Sequence, residues 1–234
     1  MPEYPATIPS DASVPTINEG SLRTYLLQMA DRACREEMPF RHWLLRDVLP
    51  DATCRALRAL PFAPPRIADT AGRRETHNSS RLFFGAEAQA RHPVCAALAA
   101  AYQDARVVRR LETLSGIDLV GSFLRVELCL DTAGFWLEPH TDIGAKLFTH
   151  LVYLSTGAEA RAWGTDLLWP NGTLAARADA APNSGLIFVP AADTWHGFAP
   201  RPITGVRQTL IVNYVKPEWR SRHELAFPLR PVRG

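Results

Sequence analysis

Four residues in the second half of the chain have the types and spacing to do chemistry together: His140, Asp142, His196 and Arg207. His140-Thr141-Asp142, within "FWLEPHTDIGAKLFTHLVYLS", sets an imidazole and a carboxylate one residue apart. In an extended segment, residues i and i+2 point the same way, so both side chains can aim at one point. Two neutral imidazoles and one carboxylate on a single octahedral face hold a divalent metal and leave its other positions open. A histidine near an acid also arises by chance in polar turns, so the triplet alone leaves both readings standing. His196, in "SGLIFVPAADTWHGF", follows a strand and a short loop, and a barrel can bring it beside Asp142 across 54 residues of sequence. Arg207, inside "VRQTLIVNYV", is costly to bury unless an anion answers it. A bound ligand or a surface carboxylate at the strand's wet end would serve.

These residues must be positioned by elements whose pattern changes along the chain. Residues 1–20, with four prolines and no period, read as an extended arm. From Ser21, a candidate N-cap, Leu22, Leu26 and Met29 mark one face of a helix running to about Glu36. "FRHWLLRDVLP" reads as a strand, and Asp51 opens a second helix, "DATCRALRAL". Residues 62–85 read as a long loop carrying one short strand, "RLFFG", and such loops are often binding loops. Residues 93–114 have helical spacing and stop at Gly116. After that the period becomes two: "SFLRVELCL", "KLFTHLVYLS", "GTDLLWP", "SGLIFVP" and "VRQTLIVNYV" are five short strands. Helical support over 21–116, a β core over 117–216 and a tail over 217–234 make one α+β domain. Its core is a jelly roll, a double-stranded β-helix, with the N-terminal helices packed on one sheet.

Composition narrows the partners. The chain has 234 residues, 47% hydrophobic and 21% charged, with a net charge of +2 and arginines scattered along the sequence. That balance argues against nucleic acid. No apolar run is long enough to cross a bilayer, and the polar N-terminus lacks a signal-peptide layout, so the expectation is a cytoplasmic protein that does not enter membranes. Cys34, Cys54, Cys95 and Cys129 form no CxxC pair and read as buried free thiols. No heptad or apolar helix face specifies an oligomeric state.

The motifs "GFWLEPHTD", "FTHLVYLS", "GTDLLWPNG", "NSGLIFVPAADTWHGF" and "VRQTLIVNYV", in that order, resemble those of the iron(II) and 2-oxoglutarate-dependent oxygenases, nearest the prolyl hydroxylase-like branch. The likeness runs upstream to "FRHWLLRDVLPDATCRALRALPF", covering roughly residues 39–215. It implies that His140, Asp142 and His196 ligate Fe(II), and that Arg207 holds the far carboxylate of 2-oxoglutarate as a fork suited to that anion. Tyr153 and Thr209 add hydroxyls to the same carboxylate. Thr149 and Leu151, sharing the parity of Tyr153, line the cavity, while His150 points away as a packed or surface histidine. The activity implied is hydroxylation of an unactivated C–H bond with O2, releasing succinate and CO2. Asp142 separates the chain from related halogenases, and the missing second arginine after Arg207 separates it from nucleic-acid demethylases.

For the substrate, an amino acid or small natural product is expected ahead of a peptide. Arg125 and Glu127 share a strand face that should turn toward the barrel interior, either to meet a charged substrate or to pair with each other. Asn213, on the Arg207 face of its strand, Trp136 and Trp163 are further substrate-wall candidates, and residues 66–82 a candidate lid. Leu137 and Leu130 depart from the tyrosines common in related hydroxylases. The reading from another class is a cupin-like metal-binding protein or isomerase, for which a buried Arg207 would be unnecessary.

Overall fold

The computed structural model describes residues 19–64, 66–74, 79–142 and 144–234. The expected arm at 1–20 lies outside them except for Glu19 and Gly20, which already belong to the first helix, α1 (Glu19–Asp31). It is followed by β1 (Cys34–Glu36), β2 (His42–Leu45), α2 (Asp51–Arg58), β3 (Arg81–Phe83), α3 (Ala86–Arg91), α4 (Pro93–Gln103) and α5 (Ala105–Ser115). The second half holds β4 (Phe123–Asp131), β5 (Leu137–His140), β6 (Lys146–Tyr153), β7 (Asp166–Leu168), β8 (Leu174–Arg177), β9 (Ser184–Phe188), β10 (His196–Phe198) and β11 (Arg207–Val215).

The helix expected across 93–114 is two helices. Asp104 is extended, and its carboxylate accepts from the backbone N–H of Arg106, so it ends α4 and caps α5. Gly116 closes α5 in the left-handed region, φ +78, where a side chain is disfavoured. Helix α1 stops at Asp31 rather than Glu36, because Cys34–Glu36 pairs with β2.

Two antiparallel sheets face each other. The larger has the order β1-β2-β9-β6-β11-β4-β3, the smaller β5-β10-β7-β8. This is a double-stranded β-helix with helices on one face. Val126, Leu128, Val152, Leu210 and Val212 alternate onto that face and join Leu22, Leu98 and Leu111 in the main core. Each such side chain contributes about 1.5–3 kcal/mol when fully buried. The C-terminal segment packs back along β4: Leu225 bridges Arg125, and the Ala226 N–H donates to the Leu124 carbonyl. Among the described residues, no helix is long and apolar enough to cross a membrane. All four cysteines are free, and Cys34 is exposed rather than buried because its three-residue edge strand has no sheet face to cover it.

The register of the large sheet maps its inner face. Arg125, Asn213 and Thr149 lie abreast on β4, β11 and β6; then come Glu127, Ile211 and Leu151; then Cys129, Thr209 and Tyr153; and last Asp131 beside Arg207. Each row is two residues, roughly 7 Å, from the next, so the first and last rows are about 20 Å apart.

Candidate active site

Between the sheets lies a cavity of about 530 Å³. Strands β10 and β5 pair so that His196 stands opposite His140, with ring centroids 4.3 Å apart. His140 Nε2 is 3.6 Å from Asp142 Oδ1 and His196 Nε2 is 3.7 Å from Asp142 Oδ2. One potential ligand atom from each residue falls within 4.8 Å of the others.

The route to this convergence differs from the extended i, i+2 geometry expected of the triplet. Strand β5 ends at His140, and Asp142 takes φ +59, a left-handed conformation that aspartate tolerates better than most residues. The chain turns there, and the turn delivers the carboxylate. Each imidazole is oriented by its own backbone: His140 Nδ1 bonds the Glu138 carbonyl and His196 Nδ1 the Thr194 carbonyl, both at 2.8 Å. A carbonyl only accepts, so each Nδ1 carries a proton and each Nε2 is the nitrogen turned toward Asp142. Burial, with His140 alongside, pulls His196 down to about 4 and keeps it neutral. Burial alone would raise the Asp142 carboxyl, but Lys146, His196 and His140 more than offset it, and the group stays ionised. Lys146 Nζ donates to Asp142 Oδ1 at 2.7 Å. Two imidazoles turned by their Nε2 atoms toward one carboxylate fit a hard or borderline divalent cation.

Arg207 is buried, but a protein carboxylate already answers it. Its Nη1 donates to Asp131 Oδ2 at 2.6 Å and its Nε to the Trp163 carbonyl at 2.7 Å. Asp131 also takes Arg74, at 2.6 Å and 3.1 Å. Among the described residues, one carboxylate thus serves two guanidiniums by hydrogen bonds, leaving a surplus positive charge. Thr209, two residues along the same face, buries a hydroxyl with no hydrogen-bond partner. An excess cation beside an orphaned hydroxyl fits an incoming carboxylate.

The other expected positions divide. Thr149, Leu151, Arg125 and Glu127 line the cavity. Asn213 lies beneath, accepting from Arg125 and donating to Thr149. Tyr153, expected to reach the cosubstrate, instead donates its hydroxyl to Thr165 Oγ1 at 2.9 Å. Trp163, expected at the substrate, packs with Phe135 and Phe198 behind Arg207, its indole N–H on the Pro202 carbonyl. Trp136, also expected there, pins the 66–74 loop: its N–H donates to Asp69 at 2.6 Å and its ring covers Gly72. Gly134 lets that loop approach, since a Cβ there would stand 2.5 Å from the Ala68 carbonyl oxygen. His150 points away from the cavity and is packed, hydrogen-bonded to Tyr102. Of the candidate lid, residues 75–78 lie outside the described residues, while Gly72, Arg73, Arg74 and Arg81 line the cavity.

Sequence reasoning missed Asp131, Arg74, Lys146 and the whole C-terminal wall, where Trp219, Ser221 and Glu224 close the cavity. Asp131 shares the parity of Arg125 and Glu127, so its inward direction was available; the C-terminal wall carries no periodic signal.

No protein-family model and no curated protein matches the sequence. Solved structures do match. A prolyl 4-hydroxylase from Phytophthora capsici aligns at TM-score 0.56 and 12% identity, over 87% of this chain and 70% of that one. A Trichoplax adhaerens prolyl hydroxylase, solved with a hypoxia inducible factor peptide fragment, aligns at TM-score 0.54 and 13% identity, over 87% and 91%. A Pseudomonas putida prolyl-4-hydroxylase aligns at TM-score 0.51 and 14% identity, over 82% and 94%. The chain thus has the double-stranded β-helix fold of the prolyl hydroxylases.

Proposed function

We propose that the protein is an iron(II) and 2-oxoglutarate-dependent dioxygenase that hydroxylates an unactivated C–H bond of a small molecule. The observation that carries this reading is the convergence of His140, Asp142 and His196, with both imidazoles fixed by backbone carbonyls in the tautomer that frees Nε2. These three would hold the iron, which supplies oxygen activation while 2-oxoglutarate is converted to succinate and carbon dioxide. Arg207 and Arg74, with Asp131 between them, and the unpartnered hydroxyl of Thr209 take the far carboxylate of 2-oxoglutarate. Leu151, Ile211 and Phe188 supply an apolar floor on which a hydrocarbon segment can rest out of water.

A small molecule is favoured over a peptide by the cavity's size, within the range of small-molecule sites, and by the C-terminal wall of Trp219, Ser221 and Glu224. A peptide substrate is the alternative within the class; the Trichoplax relative was solved with one. The net charge of +2 is small for a nucleic-acid partner, and the reading assigns the enzyme to the cytoplasm.

A metal-binding barrel without oxidative chemistry is favoured by one observation: Asp131 already answers Arg207. Anaerobic titration separates the two. Iron(II) followed by 2-oxoglutarate is expected to give a visible charge-transfer band in the native protein, lost in His196→Ala and weakened in Arg207→Ala. Iron binding without that band would favour the binding barrel. Screening small molecules for succinate release, with mass detection of an added oxygen, then identifies the substrate.

A further inference from the structure

The end of the cavity opposite Arg207 is built differently. Arg125 sits there, 2% exposed, with Nε on Glu224 Oε2 at 2.6 Å and Nη1 on Glu127 Oε1 at 2.8 Å and Asn213 Oδ1 at 3.0 Å. Arg81 Nε takes the other oxygen of Glu127 at 2.6 Å. Among the described residues, two guanidiniums therefore meet two carboxylates here. The elements that carry the group hold it firmly. Arg125 and Glu127 come from the central strand β4, Arg81 from β3 beside it, and Glu224 from a 3-10 turn anchored by the Leu225 bridge. The Arg125 guanidinium is packed against both Phe83 and Trp219, 5.1 Å and 5.3 Å from their ring centres.

Burying four charges in this way gives no net stability over an apolar cluster of the same volume, so bracing the sheet is a weak reason to have them. Three polar positions are also left open. Among the described residues, Arg125 Nη2 and Glu224 Oε1 have no hydrogen-bond partner. The Trp219 Nε1–H, in the same wall, is buried and unpartnered. Two donors and one acceptor therefore remain, on residues that line the cavity. A simple anion would leave Glu224 facing it, and a simple cation would face Arg125. A group carrying both charges satisfies all three.

We infer that this end of the cavity is a subsite for the zwitterionic head group of a free α-amino acid, with the carboxylate on Arg125 and Trp219 and the ammonium on Glu224. The side chain of that amino acid then runs across Asn213 and Thr149, abreast of Arg125 on β11 and β6, toward Phe188 of β9, whose ring lies 4.6 Å from that of His196 in the His140–Asp142–His196 cluster. This deepens the hydroxylase reading and rests on it for the chemistry, but the binding stands independently.

The test uses the full chain loaded with zinc, so that no turnover is needed. Calorimetry is run against the common free amino acids and, for each one bound, its N-acetyl derivative and its methyl ester. At least one free amino acid is expected to bind, with both derivatives weaker by at least about tenfold, as for loss of a hydrogen bond to a charged group. Glu224→Gln and Trp219→Phe should each weaken the free amino acid, and Glu224→Gln should bring its affinity close to that of its N-acetyl derivative. General loosening of the wall would weaken all ligands together and leave that ratio unchanged. The inference is overturned if no free amino acid binds, if a derivative binds as well as its parent, or if Glu224→Gln leaves the ratio intact. Binding without succinate release in the iron-loaded enzyme would sink the oxygenase reading and leave the subsite standing; release driven only by compounds lacking a zwitterion would do the reverse.

Discussion

The two ends of the cavity use the same side chains to opposite effect. At one end Arg74 and Arg207 share a single carboxylate, Asp131. Farther along the same sheet, toward the row that holds Arg125, Arg81 and Arg125 meet two, Glu127 and Glu224. Desolvation is severe at both, so the difference lies in stoichiometry: an unmatched guanidinium holds affinity in reserve for an anion from outside, while a matched set is stable alone and selects for ligands that carry both signs.

The contrast can be broken most forcibly at Asp131. Asp131→Asn takes from two buried guanidiniums the carboxylate that both are bonded to, and a loss of roughly 3–5 kcal/mol is expected in urea unfolding. Glu127→Gln should cost less, because Glu224 still holds Arg125. Equal losses would erase the distinction between the ends. Next in size, Arg207→Ala should raise the 2-oxoglutarate concentration for half-maximal succinate release by about ten- to a hundredfold, the worth of a charged hydrogen bond, while Trp219→Phe leaves it unchanged.

Acid sharpens the comparison further. Burial would raise Glu127, but Arg125 and Arg81 overcome it and hold the carboxyl near 2, against an ordinary 4.5. A depressed folded value means that the stabilisation is complete above pH 4.5 and is lost as pH falls toward 2. Burial holds His150, on the opposite face of the sheet, near 3 instead of 6.5, so its share is complete above pH 6.5 and begins to fail below it. The stability profile of His150→Phe should therefore flatten below pH 6.5, and that of Glu127→Gln only below pH 4.5; thermal unfolding across pH 3–7 would tell them apart. The smallest effect is expected at Trp136→Phe, which deletes one hydrogen bond to Asp69 and should lower stability by about 1 kcal/mol with little change in catalysis.

Much of this was legible in the sequence where periodicity carries it. The alternation of "FLRVELCLD" already divides Val126 and Leu128 from Arg125 and Glu127, because a strand with one face on helices leaves only the other for its charges. His196 was findable because a strand and a short loop precede it. What stayed hidden depends on contacts that no local pattern encodes. Tyr153 has the right parity, yet its hydroxyl is captured by Thr165 from a neighbouring loop. Asp131 and Arg74 are far apart in sequence and meet only through loop packing, and Glu224 arrives on a tail with neither helical nor strand period.

The positive φ of Asp142 sets evolution a local conflict. That backbone suits glycine, and the side chain occupying it is the one the donor set cannot lose. Asp142→Gly would relax the turn, offsetting the extra chain entropy of glycine and part of the lost Lys146 ion pair, so the protein should still fold while the proposed ligand set is broken. On the proposed function, a mutational route to an inert barrel of similar shape therefore lies one substitution away, with the Lys146 ion pair as the structural loss.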